Sequence, residues 1–340
     1  MDMFENLTIS GGDQSYIYLS RSLGRIYHKQ PETFEHPEAL MTKVLQLTID
    51  RPLLELHNEL GESPLWSVEQ QALYWLDIEG AQLQTYHPQS HAYQAFDLGR
   101  QAGCIAFTKT DSLLVATTNG LAYWSKEAGL TRNFLDFFDE KDPRMINDGK
   151  VDPTGNFWVG SKGPKNASFL YQVSHHFAVE KMIDDITISN GMDWTPDRMH
   201  FFYVDSGVGT VYQYSYFWPL AIISECVIFF GDEDGTPDGL TIDSRGNLWI
   251  ALWDGGQVVG VRPSGEIFCQ IMLPVSRPTS VTFGGPDLRT LFITSARTGL
   301  SKEALDREPL AGSLFSIRLR TPGQPSNKFG VNPYAVPSKR

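Results

Sequence analysis

One strand-turn-strand pattern recurs along this chain, and a repeat constrains the fold more than any single motif, because each copy must bury its apolar face against its neighbours. Four copies are clear: residues 62–77 (ESPLWSVEQQALYWLD), 147–161 (NDGKVDPTGNFWVGS), 190–206 (NGMDWTPDRMHFFYVDS) and 238–254 (DGLTIDSRGNLWIALWD). Each has a short apolar run, a turn built from Pro, Asp, Gly or Asn, and a second run of aromatic or β-branched residues. Two weaker copies start at Gly103 and Thr279. Successive first residues, Glu62, Gly103, Asn147, Asn190, Asp238 and Thr279, are 41, 44, 43, 48 and 41 positions apart. That spacing is one four-stranded propeller blade. The 20 prolines and 30 glycines agree with an all-β class rich in turns.

The chain is therefore expected to form a six-bladed β-propeller over residues 41–340, with blades from about residue 44 to 320 and an irregular C-terminal tail wrapping the surface from Thr321. Residues 44–50 are expected to pair with the last blade and close the ring, removing an open sheet edge. Residues 1–40 carry no period and read as a flexible or weakly docked extension, with Met41 as a second start site.

The innermost strand of every blade lines the central channel, so residues at one phase of the repeat converge. Here that phase is polar. Glu62, Asn147, Asn190 and Asp238 each stand five residues before the turn positions Ser67, Asp152, Thr195 and Asp243. Any one of them alone reads as a strand-start cap, but four together read as a site for a hard divalent cation, which takes carboxylate, amide and water oxygens. Ca²⁺ or Zn²⁺ is expected, with Mg²⁺ and Mn²⁺ as alternatives. Gly103 and Thr279 would leave one side of the channel open for a ligand.

Other chemistries find less support. The formal charge of −12 opposes nucleic-acid binding. No run reaches the ~20 apolar residues of a membrane helix, and no signal peptide heads the chain, so the cytoplasm is the expected compartment. Cys104, Cys226 and Cys269 are far apart and read as buried free thiols. GxSxG and HExxH are absent, which leaves a serine hydrolase and a zincin unsupported. The acidic stretch 232–238 departs from a calcium loop at Pro237, and His175-His176 reads as an exposed turn.

The stretches GESPLW (61–66), INDGKVDPTGNFWVGS (146–161), ISNGMDWTPD (188–197) and TPDGLTIDSRGNLWIALWDGG (236–256) resemble the signatures of the gluconolactonase and regucalcin family, also called the senescence marker protein family. That resemblance implies a hydrolase that opens lactones of sugar acids. It implies metal ligation by Glu62, Asn190 and Asp238, with Asn147 beside the metal and touching substrate. The cation would polarise the lactone carbonyl and lower the pKa of the attacking water, and Asp238 is the expected general base. No covalent nucleophile is needed. A non-catalytic calcium-binding propeller and an esterase or phosphotriesterase on the same centre are the competing readings.

The chain departs from the resemblance at one place. Family members carry an arginine two residues before the Asn of NDG, where this chain has Met145, and its arginine is Arg144, one residue earlier. Arg144 and Met145 are both expected near the substrate, but a one-residue displacement in a strand turns a side chain away unless a bulge restores it. The loop after Gly160 is shorter and lacks the family's acidic substrate contact, so Lys165 is expected to supply a positive charge. A different, less hydroxylated lactone is the expected preference.

Overall fold

The computed structural model describes residues 44–110, 112–139, 141–216 and 234–330, together with the strands Tyr16–Ser20, Arg25–Lys29 and Ile228–Phe229. Met41, Cys226, positions 232 and 233 of the acidic stretch, and the tail beyond residue 330 lie outside the described residues. Within residues 1–40, Tyr16–Ser20 and Arg25–Lys29 pair antiparallel as a hairpin.

Six sheets follow one another, each opening with the strand that lines the channel and each antiparallel through its own consecutive strands. These inner strands are Gly61–Ser67, Ala102–Phe107, Met145–Val151, Ser189–Trp194, Thr236–Ile242 and Pro278–Gly284, for blades one to six. The chain is an all-β, six-bladed propeller. Apolar side chains from adjacent blades interlock between the sheets. One such layer joins Trp158 of blade three to Met192, Trp194, Phe201 and Tyr203 of blade four, with the Trp158 and Phe201 rings 4.9 Å apart.

The ring closes differently from the expectation. Leu45–Thr48 does not pair with the last blade. It runs parallel to Ile267–Met272, the outermost strand of blade five, in the register Cys269 to Leu45 and Met272 to Thr48. Leu47 and Ile49 complete an apolar cluster with Cys269 and Ile271 there. Blade six has only three strands, and its outer edge is met by an antiparallel bridge between Leu54 and Leu314. An edge strand offers the same row of N–H and C=O groups whichever blade owns it, so pattern alone does not choose its partner.

The tail crosses one end of the channel. Gln324 donates to the carbonyls of Trp194 and Ile242, Asn327 donates to that of Val151, and the Phe329 amide donates to Phe107. Behind it lies a cavity of roughly 210 Å³, lined among others by Asp148, Lys150, Asp193, Thr241 and Gln324. Cys104 and Cys269 are buried and free. His175 and His176 are exposed in a turn between outer strands, their ring centroids 3.9 Å apart. Among the described residues no helix is long and apolar enough to cross a membrane.

Candidate metal and substrate site

Every inner strand carries an irregularity at the same phase. Pairing with the second strand skips one residue between Glu62 and Leu65, Ala102 and Cys104, Ile146 and Gly149, Ser189 and Met192, Pro237 and Leu240, and Pro278 and Val281. In each case the inner strand holds one residue more than its partner, which is a β-bulge. A bulge interrupts the alternation of faces and re-aims a side chain. Asn147, Asn190 and Asp238 lie inside these bulges and Glu62 at the edge of one. The regular spacing of the repeat thus puts four polar residues inside or at the edge of these bulges.

Gly191 shows how tightly the strands converge: a Cβ there would lie 2.3 Å from the Leu240 amide nitrogen and 2.6 Å from the Asp238 carbonyl oxygen of the next blade. Gly103 does the same on the other side, where a Cβ would lie 2.2 Å from the Asn147 carbonyl oxygen. Gly103 therefore serves close packing and does not open the channel. Thr279 is fully buried and donates its hydroxyl to the Gly61 carbonyl.

The amide of Asn190 is oriented by a relay. The Ser206 hydroxyl donates to the Pro237 carbonyl (2.6 Å) and accepts from Asn190 Nδ2 (2.8 Å), so Asn190 Oδ1 faces the other way. Asn147 Nδ2 donates to that oxygen (3.1 Å) and to the Ser189 carbonyl (2.8 Å), which leaves Asn147 Oδ1 without a donor among the described residues. Glu62 Oε2 accepts from the Ser63 amide (3.0 Å). Asp238 Oδ1 is buried and has no hydrogen-bond partner among the described residues. Ser206 was not legible as a site residue, because it opens the short 3-10 turn Ser206–Val208 after the second strand and acts only through Asn190.

Glu62, Asn190 and Asp238 are each under a tenth exposed, at 8%, 7% and 7%. Burial raises the carboxyl of Glu62 well above its usual range, and the charges of Asp238 and Asp148 raise it further, while the Ser63 amide and the Lys162 ammonium oppose them. Burial likewise raises Asp238, with Asp148 adding to it and Lys162 opposing it. Removal from water lifts Asp148 to about 6 against the Gly149 amide and Lys150. An acidic pair held up in this way fits a divalent cation, which would bring both groups down and satisfy the lone oxygen of Asp238. The donor set of two carboxylates and two amides is oxygen-only, as hard cations require. Among the described residues no cluster of three or more His, Cys, Asp and Glu side chains is arranged for a metal, so the amides are indispensable to that fit.

Arg144 lies elsewhere. Its Nε and Nη2 donate to the two oxygens of Asp142 at 2.8 and 2.6 Å, and its guanidinium lies over the rings of Phe138 and Phe169. That bond holds the Asp142 carboxyl at about 2. The bulge falls after Ile146, beyond Arg144. Met145 is half-buried and stands in register with Lys162. Lys165 is exposed, and the ammonium whose charge reaches both Glu62 and Asp238 is that of Lys162.

Residues 60–297 match the family described as SMP-30/gluconolactonase/LRE-like region. The chain belongs to that family. Among curated members, 6-deoxy-6-sulfogluconolactonase of Pseudomonas putida is 32% identical over 295 residues, covering 83% of this chain and 97% of that protein. Regucalcin of Gallus gallus is 32% identical over 269 residues, covering 76% and 90%. Among solved members of the SMP-30/gluconolactonase/LRE-like family, the calcium-binding protein regucalcin of Agrobacterium tumefaciens superposes with a TM-score of 0.77 at 25% identity, over 85% of this chain and all of that one.

Proposed function

We propose that this chain is a metal-dependent lactonase whose Glu62, Asn190 and Asp238 hold one divalent cation in the channel. The observation that carries the reading is the buried Oδ1 of Asp238, which has no hydrogen-bond partner among the described residues, at the same repeat phase as the Asn190 amide that Ser206 orients. Leaving a buried carboxylate oxygen without a partner costs about 1–3 kcal/mol or more, which a ligand recovers. Relatives named 6-deoxy-6-sulfogluconolactonase and putative sugar lactone lactonase, each 32% identical, support the reaction class. The ion, when bound, supplies Lewis acidity toward the lactone carbonyl and offsets the negative charge that develops on it.

The chain's own residues supply the rest. Asp238, whose carboxylate receives no side-chain hydrogen bond from the described residues, accepts the proton of the water that attacks the carbonyl carbon. The ring C–O bond breaks as the tetrahedral centre collapses, and that proton passes to the departing alkoxide, so the products are a carboxylic acid and a free hydroxyl. Asn147, whose nitrogen is committed twice, offers its Oδ1 to a substrate hydroxyl.

A calcium-binding regulatory propeller has one observation in its favour, the solved neighbour described as a calcium-binding protein. Turnover separates the two. Chelated protein should lose lactone hydrolysis and regain it with single divalent ions, while titration calorimetry reads one ion bound per chain. Full hydrolysis without metal would remove the proposed role of the ion. Stoichiometric calcium binding with no turnover of any lactone would favour the regulatory reading.

A further inference from the structure

The described part of the channel mouth contains one ammonium that the lactonase reading does not use. Lys162 ends the second strand of blade three, Phe157–Lys162, in register with Met145 of the inner strand and bridged to Ile188 on its other side. Its backbone is therefore held on both flanks, and the side chain is half-buried. Among the described residues it forms no hydrogen bond and no ion pair within 4.0 Å, yet its charge acts on both Glu62 and Asp238.

The neighbouring cations are committed. Arg144 is bound by Asp142, and Lys150 Nζ lies 2.7 Å from Asp193 Oδ2. In a chain of formal charge −12, an ammonium that only balanced the acidic pair would gain most by direct contact with it, but a gap remains. A cation on Glu62 and Asp238 would neutralise the two carboxylates that Lys162 faces. The ammonium would then lack a counter-charge among the described residues, with Met145 as its cross-strand neighbour.

We propose that Lys162 receives an anionic substituent of the substrate, so that the preferred substrates are lactones bearing a phosphate, sulfonate or carboxylate remote from the reacting carbonyl. The proposal rests on the lactonase reading for its substrate class, but the binding role of Lys162 is measurable without turnover. Met145 then walls the site against binding of a second polar group.

The experiment compares gluconolactone with 6-phosphogluconolactone and glucarolactone in the native chain, Lys162→Met, Lys162→Arg and Lys165→Met. The native chain should favour the two anionic lactones. Lys162→Met should lower kcat/KM for them by roughly ten- to hundredfold, chiefly through KM, while changing gluconolactone less than about threefold, the worth of one charge-assisted contact. Lys162→Arg should keep most of the preference, and Lys165→Met all of it. Calorimetry with 6-phosphogluconate and gluconate, with and without divalent ion, reads the same discrimination as binding. Circular dichroism checks that each variant is folded, and Lys162→Gln replaces Lys162→Met if the latter is not. Equal losses on neutral and anionic lactones, no native preference, or an effect carried by Lys165 would overturn the proposal. If no lactone is turned over, the lactonase reading fails, and the calorimetry alone decides: selective binding of 6-phosphogluconate that Lys162→Met abolishes supports the role of Lys162, and equal binding of the two acids overturns it.

Discussion

Asp152, just past the end of the blade-three inner strand, and Asp238, within the inner strand of blade five, are both buried aspartates, yet their surroundings are opposites. Asp152 closes the turn of blade three: its Oδ1 accepts from the Thr154 amide (2.8 Å) and the Asn156 amide (2.9 Å), and its Oδ2 from Trp158 Nε1 (2.9 Å). Asp243 repeats the device in blade five with the Arg245 and Asn247 amides and Trp249 Nε1. Asp238, five residues before Asp243 and within the strand Thr236–Ile242, has a buried oxygen with no partner among the described residues. Residue type and burial do not separate these groups. The count of satisfied lone pairs does, since a fully partnered carboxylate has nothing left for a ligand and an unpartnered one costs stability until a ligand arrives.

The largest expected effect breaks the catalytic half of the comparison. Asp238→Asn should lower lactone turnover by roughly a hundredfold or more, as losing a metal charge and a base together does. Circular dichroism should stay native and Tm should fall little. Hydrolysis within tenfold of native at saturating metal would show that Asp238 is not the base.

Asp152→Ala and Asp243→Ala should do the reverse. Each strands several buried donors, including an indole N–H, and should cost about 2–4 kcal/mol in urea denaturation. Activity per folded molecule should hold. A turnover defect in either variant at unchanged stability would erase the distinction between turn and channel aspartates.

The pH dependence of metal stabilisation sharpens the comparison. A carboxyl whose folded pKa is raised binds its proton more tightly in the native state, so its contribution favours the fold at low pH and is lost as pH rises through the folded value. For Asp148 that loss falls between the ordinary aspartate range and about 6, and Glu62 and Asp238 are raised in the same direction by burial. A divalent cation needs the deprotonated forms. The Tm gain from added Ca²⁺ should therefore be larger at pH 8 than at pH 5. An equal gain at both would mean that the ion binds away from these groups.

Smaller still is Ser206→Ala, which frees the Asn190 amide to flip. Metal affinity should weaken by roughly tenfold, as loss of an orienting partner does, at a stability cost of about 1 kcal/mol. Calorimetry of metal binding beside thermal melts would read both. Smallest is Arg144→Ala, which should change turnover less than about threefold, because the guanidinium is already bound to Asp142.

The amino-acid sequence by itself determined the six blades, their order and the four polar residues at one phase, because strand period and turn chemistry are local and repeat in register. It could not show the bulges that aim Asn147, Asn190 and Asp238, since a bulge is a property of two paired strands and not of one. Nor could it seat Leu45–Thr48 on blade five, because main-chain hydrogen bonds do not distinguish one edge from another. Arg144 and Lys162 carry the same lesson for charge. Local spacing suggested Lys165 as the cation near the site, but which charge reaches Glu62 and Asp238 depends on through-space distance and on which cations are already paired. Only the folded ring decides those, by tying Arg144 to Asp142 and leaving Lys162 unpaired among the described residues at the channel.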